Sequence, residues 1–175
     1  MKREDVLDII KTAQAQGETP DLRRADLRKT NLKGINLSRV NLSYANLSGA
    51  RLNGLNFSEA NLTGANLHKA DLRNANLRYA NMLGADLAKA KLDGANLIEA
   101  TLRNASLKNA DLRGATLTET SMRGAGLVVA NLQQADLHGA NLIRADLRGA
   151  KVTDEQLNQA KSLKRAIMPD GSVHS

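Results

Sequence analysis

The chain has 175 residues, of which 42% are hydrophobic and 2% aromatic, and it contains no cysteine and no tryptophan. This is the length of one ordinary domain, and the lack of cysteine excludes disulfides, thiol catalysis and cysteine-ligated metal sites. With 25 Lys and Arg against 18 Asp and Glu, the net charge of +7 argues against a partner whose own surface is strongly basic.

The first segment is predicted to be a short amphipathic helix. Residues 3–15 place apolar side chains at helical spacing: Val6, Leu7, Ile10 and Ala13. The GETP link at residues 17–20 then breaks the helix. We expect residues 1–19 to cover the first coil of the structure that follows. Because this segment has no long apolar stretch, we expect neither a signal peptide nor a membrane span, and a cytoplasmic location.

From residue 20 to residue 154 the sequence repeats every five residues. A leucine-type residue stands at every fifth position from Leu22 to Val152, and a small residue, usually alanine, stands two positions before it. The unit is A-(N/D)-L-x-x. A spacing of five would spread the leucines around a helix and alternate them between the faces of a strand. They are buried together only if the chain turns once per unit.

This pattern resembles the pentapeptide repeat family, and the resemblance covers about residues 20–154. It implies an all-β fold, a right-handed quadrilateral parallel β-helix (a β-solenoid) with four units per coil. On that basis we expect about seven coils, a length of roughly 30 Å, and short capping helices at the N- and C-terminal ends.

The last position of the unit alternates in character. Every second unit favours glycine or asparagine, as at Gly34, Gly54 and Asn74, whereas the units between favour long side chains such as Lys69 and Lys89. Glycine and asparagine tolerate the positive φ of a type II turn. The alternation therefore predicts two kinds of corner, each shared by two opposite sides.

The Asn and Asp column predicts ladders of hydrogen-bonded side chains between successive coils. Where the column departs from this rule, Arg51, Asp71, Lys91 and Asp111 are expected to stack with alternating sign. Opposite charges across neighbouring strands are favourable and like charges are unfavourable. The alternation indicates control of register on a solvated face.

A second helix is predicted at about residues 154–161, because Thr153 and Gln156 form a capping-box pattern where the repeat stops. Residues 155–175 are thus read as a capping helix and a tail, with a turn at Pro169-Asp170-Gly171. The tail is either a simple cap or a dimer contact, since some relatives pair through their C-terminal ends. A monomer and a C-terminal homodimer both stay open.

No catalytic constellation is expected. Leucine and alanine fill the interior and leave no room for converging titratable groups. His68 and His138 are predicted on opposite sides, where they cannot share a metal ion. We therefore expect no enzyme, no cofactor and no metal site.

Three functions are considered for the surface. The main hypothesis is a non-catalytic scaffold in the bacterial cytoplasm that mediates protein–protein interaction with an unknown partner. The resemblance offers a second, because the family's best understood members bind type II topoisomerases by mimicking negatively charged DNA, which a net charge of +7 disfavours. The third is a basic nucleic-acid-associated protein.

The candidate contact residues for such a surface are the basic side chains of the first coil and of rows expected on two adjacent sides. They are Arg23, Arg24, Arg28, Lys29, Lys33, Lys69, Lys89, Arg103, Lys108 and Arg123.

Overall fold

The computed structural model describes residues 1–175 and contains two helices, α1 (Arg3–Gln16) and α2 (Asp154–Leu157). Neither has the length and apolar character needed to cross a lipid bilayer. Between them the chain turns every five residues and pairs with itself through parallel bridges of a single residue, such as Asp21 with Asn41. Bridge partners lie 20 residues apart, so four units make one four-sided coil of a β-solenoid.

The four sides are numbered by their first units. Side 1 starts at residue 21, side 2 at residue 26, side 3 at residue 31 and side 4 at residue 36, and each gains a unit with every coil. Within a unit, position 1 is usually Asn or Asp and position 2 is Leu. Positions 3 and 4 vary, and position 5 is usually Ala.

Positions 2 and 5 form one continuous core. From Leu42 to Leu147 the position-2 side chains are at most 1% exposed, and Phe57 is fully buried among them. The core cluster of 52 residues also includes Val6 and Ile10 of α1. Full burial of each such leucine contributes about 1.5–3 kcal/mol. The inward positions predicted from the five-residue period are confirmed.

A regular unit gives every backbone N–H an acceptor, as residues 61–65 illustrate. The N–H groups at positions 1, 2 and 4 donate to carbonyls of neighbouring coils over 2.7–3.0 Å. The N–H of Ala65 closes the turn on the Leu62 carbonyl at 3.0 Å. The N–H of Thr63 donates to Oδ1 of Asn61 at 3.1 Å. The unit therefore buries its backbone without unpaired donors.

The Asn and Asp side chains act mainly within their own unit. Their Oδ1 atoms accept the position-3 N–H at 2.9–3.3 Å throughout the repeat. Asn side chains of successive coils bond to each other at two places, from Asn61 to Asn41 (3.4 Å) and from Asn76 to Asn56 (3.0 Å). The predicted ladder is thus limited to two rungs.

The corners share one backbone conformation, so the prediction of two corner types is wrong. The residue at position 4 has a φ of 55–73° whether it is Gly34, Lys69 or Val129. Its N–H donates to the next coil in most units, with glycine and without it, but the N–H groups of Gly34 and Gln134 have no backbone acceptor and their φ is still 73° and 61°. The conformation therefore belongs to the turn itself, and the residue type only changes its cost. Within the repeat, Lys29 is the exception.

The helix predicted at residues 3–15 is present as α1, with Val6 and Ile10 buried. Arg3 of α1 donates the hydrogen bonds that a preceding coil would otherwise donate. The Nη1 atom of Arg3 donates to the carbonyls of Asn31 (2.8 Å) and Lys33 (2.9 Å). In later coils, carbonyls at these positions accept from the coil before.

The C-terminal segment differs from its prediction. The capping box of Thr153 and Gln156 is present, but α2 ends at Leu157 rather than near residue 161. The repeat then resumes after a slip of one residue, so that bridges join residues 21 apart: Asn141 with Ser162, and Asp146 with Ile167. Two further units therefore follow residue 154, and Val173 folds back in an antiparallel bridge to Ile167.

Val129 offers a test of the corner geometry, because a β-branched residue at a φ of 57° is strained. The strain of about 1–2 kcal/mol exceeds the roughly 0.5–1 kcal/mol that glycine's flexibility costs. We expect Val129→Gly to raise the free energy of unfolding by about 0.5–1 kcal/mol, measured by urea denaturation. Val128→Gly, at an ordinary φ, is the control and is expected to lower it. Equal changes in the two variants would contradict this account.

Candidate functional site

The titratable groups lie on the outer faces, and no group of three or more His, Asp or Glu side chains is placed to hold a metal ion. His68 lies on side 2, where its Nδ1 is 3.7 Å from Oδ2 of Asp86. His138 lies on side 4, so the two histidines are on opposite sides as predicted. Any function must therefore be sought on the surfaces and in the grooves between coils.

Five arginines at position 3 are held by the aspartate two residues earlier, in the tripeptide D-L-R. The guanidinium nitrogens lie 2.6–2.8 Å from the nearest carboxylate oxygen, and each guanidinium contacts both carboxylate oxygens. Such bidentate pairs are directional and charge-assisted. The pairs are Asp21–Arg23, Asp26–Arg28, Asp71–Arg73, Asp111–Arg113 and Asp146–Arg148.

Because of this pairing, two of the predicted contact residues are not free cations. Arg23 and Arg28 are each neutralised by the preceding aspartate. The Arg28 side chain, with its backbone N–H, lowers the pKa of Asp26 to about 2, and the same contact raises the pKa of Arg28. The first coil thus has fewer free cations than its composition suggests.

The charged column predicted on side 3 is present. Bridges stack Arg51 on Asp71, Asp71 on Lys91 and Lys91 on Asp111. The aspartates are nevertheless paired within their own units, and the Arg73 guanidinium is the main cause of the lowered pKa of Asp71. Lys91 contributes less to that shift. The column is an electrostatically compensated surface.

Side 1 carries the largest group of unpaired cations. These residues, here called the basic face, are exposed, and no carboxylate lies within 4.0 Å of their charged nitrogens. No unit of side 1 after the first contains Asp or Glu. The basic face consists of Arg103, Arg123, Arg144, Lys164 and Arg165.

Sequence reasoning found Arg103 and Arg123 but missed the other three cations of this face. Four of the five, with Ile143, line a groove of about 340 Å³. Lys164 and Arg165 were missed because the repeat was ended at residue 154. The signal was present as the unit S-L-K-R-A at residues 162–166, offset from the register by one residue.

The other half of side 1 exposes two large apolar side chains, Tyr44 (60%) and Leu83 (38%). The Tyr44 ring lies over Gly64 in the next coil, where an added Cβ would be 2.6 Å from Cε1. The ring fits there because Gly64 has no side chain. Side 1 therefore combines an apolar half with a basic half.

The lysine row predicted on side 2 is present but mixed. Bridges stack the units that carry Lys69, Lys89 and Lys108. Asp86 lies in the same column and near His68. Carboxylates are therefore interleaved with this row, in contrast to the basic face.

A second groove, here called the cleft, opens on side 3 between residues 28–34 and residues 49–55. Its volume is about 840 Å³. Arg28, Lys29, Lys33 and Arg51 line it, and none of its lining residues is acidic. The sequence indicated Arg28, Lys29 and Lys33 as candidate contact residues but did not predict the cleft.

The fold is a β-solenoid whose charged groups all lie on its outer faces. The sequence profile described as pentapeptide repeats matches eight times, over residues 21–55, 56–94, 90–127 and 129–154. The chain belongs to the pentapeptide repeat family. No curated protein sequence matches it.

Several solved structures are similar. The pentapeptide repeat protein Rfr23 from the cyanobacterium Cyanothece 51142 is 34% identical, with a TM-score of 0.50. The match covers 57% of this chain and 65% of Rfr23, so this chain spans less than two thirds of the length of Rfr23. A thylakoid lumen protein of Arabidopsis thaliana is 31% identical over 66% and 70% of the two chains, with a TM-score of 0.47. HetL of Nostoc, involved in heterocyst differentiation regulation, is 38% identical over 88% and 74%, with a TM-score of 0.33.

The D-L-R pairing predicts a pH dependence. Because the pKa of Asp26 falls from 3.8 to about 2 on folding, the pair's stabilising effect is complete above about pH 4 and is lost as the pH falls towards 2. We expect an NMR titration of the Asp26 carboxyl to have its midpoint near 2. Arg28→Met is expected to raise that midpoint, whereas Arg148→Met, in another pair, leaves it unchanged. A midpoint near 4 in the unmodified chain would refute the pairing.

Proposed function

We propose that the chain is a non-catalytic scaffold that binds a protein partner bearing an acidic surface. In this proposal the solenoid is right-handed, has about seven coils and is closed by α1 and α2, so that its sides are rigid and flat. Side 1 is the contact surface, with Tyr44 and Leu83 at one end and the basic face at the other.

The charge distribution of side 1 carries this proposal. Six exposed cations without an ion-pair partner, the five of the basic face and Arg24 of the first unit, share one side with no carboxylate after that unit. Six coil rises of about 4.8 Å separate the unit at residue 41 from the unit at residue 162, giving a face roughly 29 Å long. Arginine and tyrosine are enriched in protein interfaces, and complementary charge selects the partner.

A basic nucleic-acid-associated protein is the second candidate, favoured by the net charge of +7. Unpaired cations in a row bind phosphates without regard to sequence, and that binding weakens steeply with salt. The basic face itself has no aromatic side chain on which bases would stack, since Tyr44 lies in the first half of side 1. This favours a protein partner over a single strand.

Topoisomerase binding through DNA mimicry has the weakest support. The longest acidic row is at the corners of side 4, with Glu59, Glu99 and Glu119. Tyr79 interrupts it, and Glu59 is paired with Arg39 at 2.9 Å. A continuous negative stripe is thus missing. The cytoplasmic location and the choice between a monomer and a C-terminal homodimer stay predictions.

The assignment of side 1 is tested by a matched pair of charge reversals. The immobilised chain is used to capture proteins from a nuclease-treated native lysate at low and moderate salt. We expect a partner that binds the unmodified chain to be lost with Arg123→Glu/Arg144→Glu, because reversed charges repel its acidic surface. Lys69→Glu/Lys89→Glu makes the same change in net charge on side 2 and is expected to retain the partner.

Direct binding to a labelled DNA or RNA oligonucleotide is measured in parallel. Equal loss of the captured protein in both double variants would show that total charge, rather than side 1, determines capture. Salt-labile oligonucleotide binding without a protein partner would replace the scaffold by the nucleic-acid candidate. Capture of a type II topoisomerase would instead revive the mimicry hypothesis.

A further inference from the structure

The cleft on side 3 is a local break in the coil-to-coil ladder. In regular units the N–H groups at positions 2 and 4 donate to the next coil. Those of Leu32 and Gly34 have no acceptor, and the carbonyls of Arg51 and Asn53, which would receive them, have no donor. On the adjacent sides the position-2 bonds are kept, with the N–H of Leu27 and that of Leu37 bonding at 2.8 and 2.9 Å, although the N–H of Lys29 has no acceptor.

The opposite set of bonds is missing as well. In regular units the N–H at position 1 donates to the position-5 carbonyl of the coil before, yet the N–H groups of Arg51 and Asn56 have no acceptor. The carbonyls of Thr30 and Ile35, which would accept them, are also free. Both edges of the cleft therefore present donors and acceptors without partners.

Packing explains why the ladder opens there. Ile35 and Leu55 stand in a column that holds alanine in the next coils, as at Ala75 and Ala95. Two branched side chains stacked one coil rise apart, about 4.8 Å, overfill a space made for alanine. The coils separate at this point to accommodate them.

The lower edge of the cleft is held in place by the N-terminal segment. Arg3 donates to the carbonyls of Asn31 and Lys33, and the hydroxyl of Thr30 donates to the Met1 carbonyl at 2.7 Å. These bonds use the face of the edge that points away from the cleft. The free groups of Leu32 and Gly34 therefore belong to an anchored edge.

The lining of the cleft selects the charge of a ligand. Lys29, Lys33 and Arg51 are exposed and have no ion-pair partner, and Arg28 is held by Asp26. The two apolar residues in the lining, Leu32 and Leu55, are buried, so the cations provide the selection. A complementary ligand therefore carries several carboxylates, and placing them at alternate residues of an extended main chain directs them to one face.

We infer that the cleft binds an acidic peptide segment of about six residues in extended form. The peptide main chain pairs with the free groups of Leu32 and Gly34 on the anchored edge. Alternate carboxylates meet Lys33 and Arg51. This site is on side 3 and does not depend on the partner proposed for side 1.

The probe is the blocked, labelled peptide (Glu-Val)₃ added to the full chain, with binding measured by fluorescence anisotropy. Kd is expected to rise at least tenfold for a backbone N-methylated (Glu-Val)₃ and for (Lys-Val)₃. It is expected to rise similarly for the protein variant Lys33→Gln/Arg51→Gln, and to be unchanged for Lys69→Gln/Lys89→Gln, the matched change outside the cleft. Equal affinity for the N-methylated peptide, or full competition by millimolar inorganic phosphate, would reduce the cleft to an anion site and overturn the inference.

Amide hydrogen exchange supplies a second readout. The amides of Leu32 and Gly34 are expected to exchange fast in the free chain and to be protected when (Glu-Val)₃ binds. The variant Ile35→Ala/Leu55→Ala restores the alanine column, so it is expected to protect both amides without peptide and to abolish peptide binding. Amides that are already protected in the unmodified chain, or are unaffected by bound peptide, would also overturn the inference.

Discussion

Every unit of the solenoid must satisfy five backbone N–H groups while contributing one bridging residue to its own side. Three of the N–H groups bond to neighbouring coils, one closes the turn, and one is accepted by the Asn or Asp side chain at position 1. An unpaired buried N–H costs as much as a lost hydrogen bond, so few other arrangements are tolerated. This requirement sets the 20-residue register, the conformation of the corners and the choice of Asn or Asp.

Because the backbone and the two inward positions hold the fold, positions 3 and 4 are left free to vary. This freedom separates the faces chemically. On sides 1 and 3 the spacing of charges is equally regular, but Asp71 and Asp111 compensate the cations of side 3, whereas the basic face has no carboxylate. Net charge alone does not show this difference, since five of the arginines are neutralised locally.

The requirement that backbone N–H groups be paired also explains why the break in the ladder is notable. A solenoid with its coils joined on all sides offers no free backbone groups except at its ends, where edges invite pairing. Here Val6 and Ile10 of α1 join the core at one end, and Val173 pairs with Ile167 at the other. At the cleft, by contrast, backbone donors and acceptors inside the solenoid are left without partners on both edges. Its cause is a pair of large side chains, Ile35 and Leu55, in a column of alanines.

Because the five-residue period continues without a break, the sequence by itself determined the repeat, the inward leucines and the stacking of Arg51 on Asp71. The helical spacing of apolar residues before the repeat likewise determined α1. Each unit's place follows from the one before it, and no long-range information is needed. The same reasoning located Arg103 and Arg123 on one side.

Only the tertiary structure decided which donor each Asn serves, that all corners but the one at Lys29 share one φ, and that Arg23 and Arg28 are paired. It also decided the two units after α2, and with them Lys164 and Arg165, and the opening of the cleft. The turn bonds of Asn and the Asp–Arg pairs join residues two apart, and only the folded turn brings these groups together. The later features depend on a register slip of one residue and on whether two large side chains fit between coils. A period in the sequence contains none of these quantities, because they arise from the conformation of the turn and from the packing between coils.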